Sequence, residues 1–135
     1  MKLLLSLVLC LALHSLSAQH LPDLKNIQPH DTFSNILVRK LYSDSLSSSF
    51  LIWVKKEVPL HKHMLHSEHV YIIEGKGMMT LGDSSFLIKT GDMVFIPKGT
   101  PHDFRTTSKR PAKILSVQSP HFDGSDRVPL KRKED

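Results

Sequence analysis

The 135-residue sequence predicts an all-β fold, a single barrel or sandwich of short strands, and three observations carry that expectation. Apolar segments are brief, recur at close spacing and are each bounded by Gly, Pro, Ser or Asp. They are rich in Ile, Val, Leu and aromatic residues, the types that suit a pleated, half-buried surface. Beyond the extreme N-terminus, no window sustains an apolar repeat of helical period over several turns. The length supports one domain and leaves little room for a second.

Taken in order, the chain opens with Met1-Lys2, a leucine-rich run from Leu3 to Leu13, and small residues at Ser15, Ser17 and Ala18. That order predicts a secretory signal peptide over residues 1–18, cut near Ala18. The run falls well short of the ~20 residues needed to span a bilayer, so no stable membrane anchor is expected after cleavage. The mature protein is expected to be exported, periplasmic or secreted. Cleavage leaves 117 residues (135 less 18) and removes Cys10, the only cysteine. A chain without disulfides must draw its stability from its core and from any bound ion.

Residues 19–32, with Pro22, Asn26, Pro29 and His30, read as an irregular lead-in to a barrel expected over residues 33–120. Strands are expected at Ile36–Leu41, Phe50–Val54, Val70–Ile73, Met78–Leu81, Phe86–Ile88, Met93–Ile96 and Ile114–Val117. Gly75-Lys76-Gly77 reads as a turn, and Gly82-Asp83 sits where a hairpin would reverse. After a turn at Gly91-Asp92, Met93–Ile96 reads as a buried strand and residues 97–101 as a tight loop; residues 121–135 are a C-terminal tail. Loss of Lys2 with the leader lowers the formal charge from +5 to +4. Much of that excess lies in Lys109, Arg110 and Lys113 and in Lys131-Arg132-Lys133, with few aromatics interleaved, so nucleic acid is not an expected partner.

The chemistry concentrates in two stretches. The first is His61-Lys62-His63-Met64-Leu65-His66-Ser67-Glu68, followed by a run to Gly75. In an extended segment residues two apart share a side, so His61 and His63 present two imidazoles to one face. Glu68, opening the next strand, can fold back towards it. Such convergence is what a metal ion requires, since its ligands must meet at about 2.0–2.2 Å. The second stretch runs from Gly91 through Pro97 and Gly99 to His102, a histidine set straight after a rigid loop.

These residues resemble the motifs of the cupins. The spacing of His61, His63, Glu68 and Gly75 matches the first cupin motif, and that of Gly91, Pro97, Gly99 and His102 matches the second. Two positions depart: Lys55 and Thr106 stand where the family has Gly and Asn, both turn or packing positions. The resemblance implies a double-stranded β-helix, or jelly roll. It also implies one divalent transition-metal ion (Fe, Mn, Ni, Cu or Zn) on His61, His63, Glu68 and His102, with positions left open for substrate. Residues 119–127 are similar to a family tail that packs over the barrel.

Other residues keep two readings. His66 is a loop residue, a proton carrier or an extra ligand; His69 should face away from Glu68. Trp53 and Phe104 are pocket lining or core, and Arg105 and Tyr71 are substrate contacts or solvated surface. The function expected first is a metal-dependent enzyme on a small molecule, with oxygenase- or isomerase-type chemistry. The alternative is a non-catalytic exported module that binds a small ligand, a sugar or a metal ion. A DNA-binding sensor is excluded for want of a second domain. Exposed strand edges in such a barrel make a homodimer an expected assembly.

Overall fold

Short β-branched and aromatic segments separated by tight turns give ten strands among the described residues, which are His20 and residues 23–131 of a computed structural model. The expected leader lies outside those residues. The strands are β1 (Ile36–Ser43), β2 (Ser48–Val54), β3 (Glu57–Lys62), β4 (Ser67–Glu74), β5 (Lys76–Leu81), β6 (Ser84–Lys89), β7 (Met93–Ile96), β8 (His102–Thr106), β9 (Ala112–Ser119) and β10 (Val128–Pro129). They form two antiparallel five-stranded sheets, in the orders β1-β2-β9-β4-β7 and β10-β3-β8-β5-β6. This is the jelly-roll double-stranded β-helix that the motifs imply.

All seven segments expected as strands lie within observed ones. β3, β8 and β10 complete the ten, and of these β3 was hidden by Pro59 and by charged neighbours. Its pairing with β8 breaks between Val58 and His61, where proline has no N–H to give the ladder. One burial expectation is corrected. β7 is not a buried strand but the edge of its sheet: Ile96 faces inward while Met93 and Phe95 are 65% and 49% exposed. Alternation puts every second side chain of an edge strand into solvent.

Two apolar clusters hold the sheets. The inner one, between them, includes Val54, Val70, Ile72, Met79, Phe104 and Ile114. The second lies outside the first sheet, where Leu51, Trp53 and Ile73 are covered by Leu24 and Ile27 of the lead-in and by Phe33 just after it. Trp53 is therefore core, and β2 is apolar on both faces because both are covered. Each such side chain contributes on the order of 1.5–3 kcal/mol by leaving water. Lys113, counted above in the positive excess, is buried at 3% exposure. Its ammonium donates to Glu74 Oε1 at 2.8 Å and to the Lys25 carbonyl, which pins the lead-in to the sheet. At Gly77 a Cβ would lie 2.4 Å from the Phe104 ring and 2.5 Å from the Arg105 carbonyl, so only glycine lets β5 and β8 approach this closely.

Candidate metal centre

The site lies where polar side chains replace apolar ones on the inward faces of both sheets. On β9, Ile114, Ser116 and Gln118 point inward in turn, and Gln118 pairs in register with Glu68 at the start of β4. From the opposite sheet, His61 on β3 pairs with His102 at the start of β8, their rings 4.2 Å apart. His63 follows β3, and its carbonyl accepts from Gly99 N at 2.5 Å, which ties the loop before β8 to it. One coordinating atom from each of His61, His63 and His102 lies within 4.8 Å of the others. Glu68 Oε2 is 3.6 Å from His63 Nε2 and 3.4 Å from His102 Nε2. All four side chains are buried.

Backbone carbonyls set the tautomers. Nδ1 of His61 donates to Pro59 O at 2.8 Å, Nδ1 of His102 to Thr100 O at 2.9 Å, and Nδ1 of His63 to Asp126 O. Each ring thereby keeps its Nε2 lone pair for a cation. His102 Nε2 is buried with no hydrogen-bond partner, a cost that a bound ion would remove. Burial raises the Glu68 carboxyl, but the nearby His102 and His63 rings and the Ser116 hydroxyl outweigh it and hold the group well below the usual carboxylate range. The Ser116 hydroxyl donates to Oε1 at 2.5 Å. Burial, reinforced by the neighbouring His102 and Arg127, pushes the His61 imidazole down to about 3. Burial works against protonation of His63, yet the Glu68 and Asp126 contacts leave it raised. Three neutral nitrogens and a carboxylate suit a divalent transition metal.

The pH dependence of metal-free stability follows. Below pH 6.5 the unfolded chain protonates at residue 61, whereas the folded chain resists until about pH 3. The unfolded state then binds more protons, so stability falls with pH over that window, by up to about 1.4 kcal/mol per unit. Urea unfolding in chelator from pH 7 to 4 should show this slope, and His61→Gln should flatten it. His63, whose shift is opposite in sign, is common to both proteins and does not enter the difference. Coincident slopes for the two proteins would count against this account of the site.

The sequence reading missed the support of the site. The Asp126 carboxylate accepts from Met64 N at 2.9 Å, from Leu65 N at 2.7 Å and from His66 Nδ1 at 2.6 Å. His66 Nε2 meets the His121 carbonyl at 2.8 Å, and Phe122 packs edge-on against both His63 and His66. His66 is thus a buried brace between loop and tail. β10 carries the tail along β3, with Pro129 beside His61. Alternation along β9 could have pointed to Ser116 and Gln118, but nothing local marks Asp126. His69 and Tyr71 face outward and Arg105 is exposed, away from the cavity.

The four side chains open on a cavity of about 270 Å³, room for on the order of nine waters. Its wall is mostly apolar, with Val58, Val70, Met79 and Phe104 among the lining, and its polar members include Gln118 and Arg127.

Comparison with known proteins agrees with this fold. The "Cupin domain" family model matches residues 49–118. The chain is 32% identical over 107 residues to an uncharacterised protein of Methanocaldococcus jannaschii, covering 74% of this chain and 86% of that protein. It is 34% identical to an uncharacterised protein of Aquifex aeolicus, covering 83% and 93%. Quercetin 2,3-dioxygenase of Bacillus subtilis is 40% identical over 87 residues, which are 56% of this chain and 26% of that longer enzyme. Among solved structures, an RmlC-like cupin from Shewanella frigidimarina superposes with a TM-score of 0.64 at 19% identity, over 78% of this chain and 95% of that one. KdgF from Halomonas sp. gives 0.64 at 17% identity, over 69% and 86%. With the matched region embracing both halves of the donor cluster, the chain belongs to the cupins.

Proposed function

We propose that this cupin holds one divalent transition-metal ion on His61, His63, Glu68 and His102, and acts on a small molecule that enters the adjoining cavity. The observation that carries the reading is the tautomer arrangement: three imidazoles tied back through Nδ1, with His102 Nε2 buried and unpartnered. A bound ion would supply Lewis-acid polarisation of a carbonyl or enolate or, as iron, the activation of dioxygen. The chain's own part is to hold the carboxylate charge of Glu68 against the ion, to fix the rings and to exclude water with an apolar wall. The likeness to a quercetin dioxygenase over the barrel supports oxygenase-type chemistry, and isomerase-type chemistry uses the same open geometry.

Elemental analysis of the full-length product, purified without chelator or affinity metal, should find close to one equivalent of Fe, Mn, Ni, Cu or Zn. Absence of metal, with none restored by titration, would remove the reading. Metal with tight ligand binding and no product, by calorimetry and mass spectrometry, would turn it to the binding module. Export belongs to the same proposal, on the leader pattern of residues 1–18. In a secreting host the mature N-terminus should map by mass spectrometry to about Gln19, and an intact Met1 in the secreted fraction would contradict it.

A further inference from the structure

Among the described residues, two polar groups on the cavity wall stand out, the Arg127 guanidinium without a carboxylate and the Gln118 Oε1 without a donor, one from the tail and one from β9. Arg127 enters from the tail just before β10, and its Nη2 lies 3.4 Å from His61 Nδ1. That nitrogen already donates its hydrogen to Pro59 O, so it has no lone pair left for a guanidinium, and the contact is proximity alone. Among the described residues no carboxylate lies within ion-pair distance of Arg127. The other acid on the wall besides Glu68, Asp103, is already engaged. Arginine keeps its charge in such a setting, and its fork of donors matches a carboxylate in geometry.

Gln118 supplies the second observation. It is 5% exposed, lines the cavity, and its Oε1 is buried with no partner. Buried amide oxygens are ordinarily paired, and one that faces an open space is satisfied by whatever fills it. Around these two groups the wall is apolar, with Phe50, Ile52, Val58 and Phe122 in reach of a ligand's body. Once a divalent ion offsets Glu68, the wall carries excess positive charge.

We infer that the ligand of this cavity is a small organic acid with an apolar body, its carboxylate held by Arg127 and a hydroxyl donated to Gln118. The inference rests on the metal-centre reading above and names a substrate class for it. Arg127 takes the role for which the sequence offered Arg105.

Calorimetric titration of the full chain with Zn²⁺ added tests the pairing. The probes are lactate, 2-hydroxy-4-methylpentanoate and mandelate, each with its primary amide and its deoxy acid. The acid with the best-fitting body should bind tenfold or more tighter than its amide, the advantage of a charge-assisted contact. Arg127→Gln should erase that preference. Gln118→Leu should keep it while removing the advantage of the hydroxy acid over the deoxy acid. Acids and amides that bind alike, or a preference that survives Arg127→Gln in a folded variant, would overturn the inference. Zinc content measured on each sample separates the two readings. One equivalent of zinc without acid preference sinks only the inference. An Arg127-dependent preference without zinc keeps the inference and sinks the metal centre.

Discussion

Replacing His63 with alanine is expected to take bound metal from about one equivalent to near none, and with it the stabilisation that metal confers. An ion present at a thousandfold its dissociation constant adds about 4 kcal/mol to a fold that alone can bind it. For a domain of this size that is on the order of 10 °C in melting temperature. His63 is the ligand to choose because its Nε2 stands 3.6 Å from Glu68 Oε2 and its Nδ1 is fixed by the tail. Its ring also packs against Phe122 at 5.3 Å, so the metal-free variant will itself melt earlier. The discriminating quantity is therefore the difference between melts with metal and with chelator, large for the parent and near zero for His63→Ala. The outward-facing His69 provides the control, since His69→Ala should keep both metal content and shift. Unchanged metal stoichiometry in His63→Ala would refute the ligand assignment.

Which parts of this molecule could be read from its sequence follows from the range of the interactions involved. Strands β4 and β5 and the β5–β6 hairpin announce themselves because alternation, β-branched residues and turn glycines are local properties. The convergence of three histidines was legible for a similar reason: His61 and His63 share a face two residues apart, and His102 follows a loop stiffened by Pro97 and Pro101. The burial of Lys113 was not legible because its partners, Glu74 and the Lys25 carbonyl, lie far away in the chain. Met93 and Phe95 were misjudged as buried because hydrophobicity does not tell an edge strand from a central one. Arg127 and Asp126 were invisible as site residues for the same reason as Lys113. They act on groups sixty or more positions earlier, brought close only when β10 pairs with β3.

That long-range closure sets the second large effect. Asp126→Ala is expected to destabilise the fold by about 3 kcal/mol or more and to weaken metal binding as well. The carboxylate is the shared acceptor for Met64 N, Leu65 N and His66 Nδ1, and His66 donates from its other nitrogen to the His121 carbonyl. The His66 ring and the Asp126 carboxylate are both buried, 6% and 7% exposed. Removing the carboxylate leaves its buried donors without an acceptor, the costly way to lose a hydrogen bond. Asp126→Asn retains an acceptor for the loop N–H groups and should lose roughly half as much. Burial pushes the Asp126 carboxyl up, but hydrogen bonds from His66, Leu65 and Met64 overcome it and bring the group to about 2, below its ordinary 3.8. A lowered carboxylate contributes fully above the unfolded value and loses that contribution as pH falls. The gap between parent and Asp126→Ala should thus be constant near neutrality and close between pH 3.8 and about 2. Since the Asp126 carbonyl fixes the His63 tautomer, loosening the tail should also cost about ten- to a hundredfold in metal affinity. Urea unfolding and metal titration of the same preparations measure both effects. A stability change within ~0.5 kcal/mol of the parent, the range of an ordinary surface substitution, would mean that the tail rests on the barrel without bracing the site.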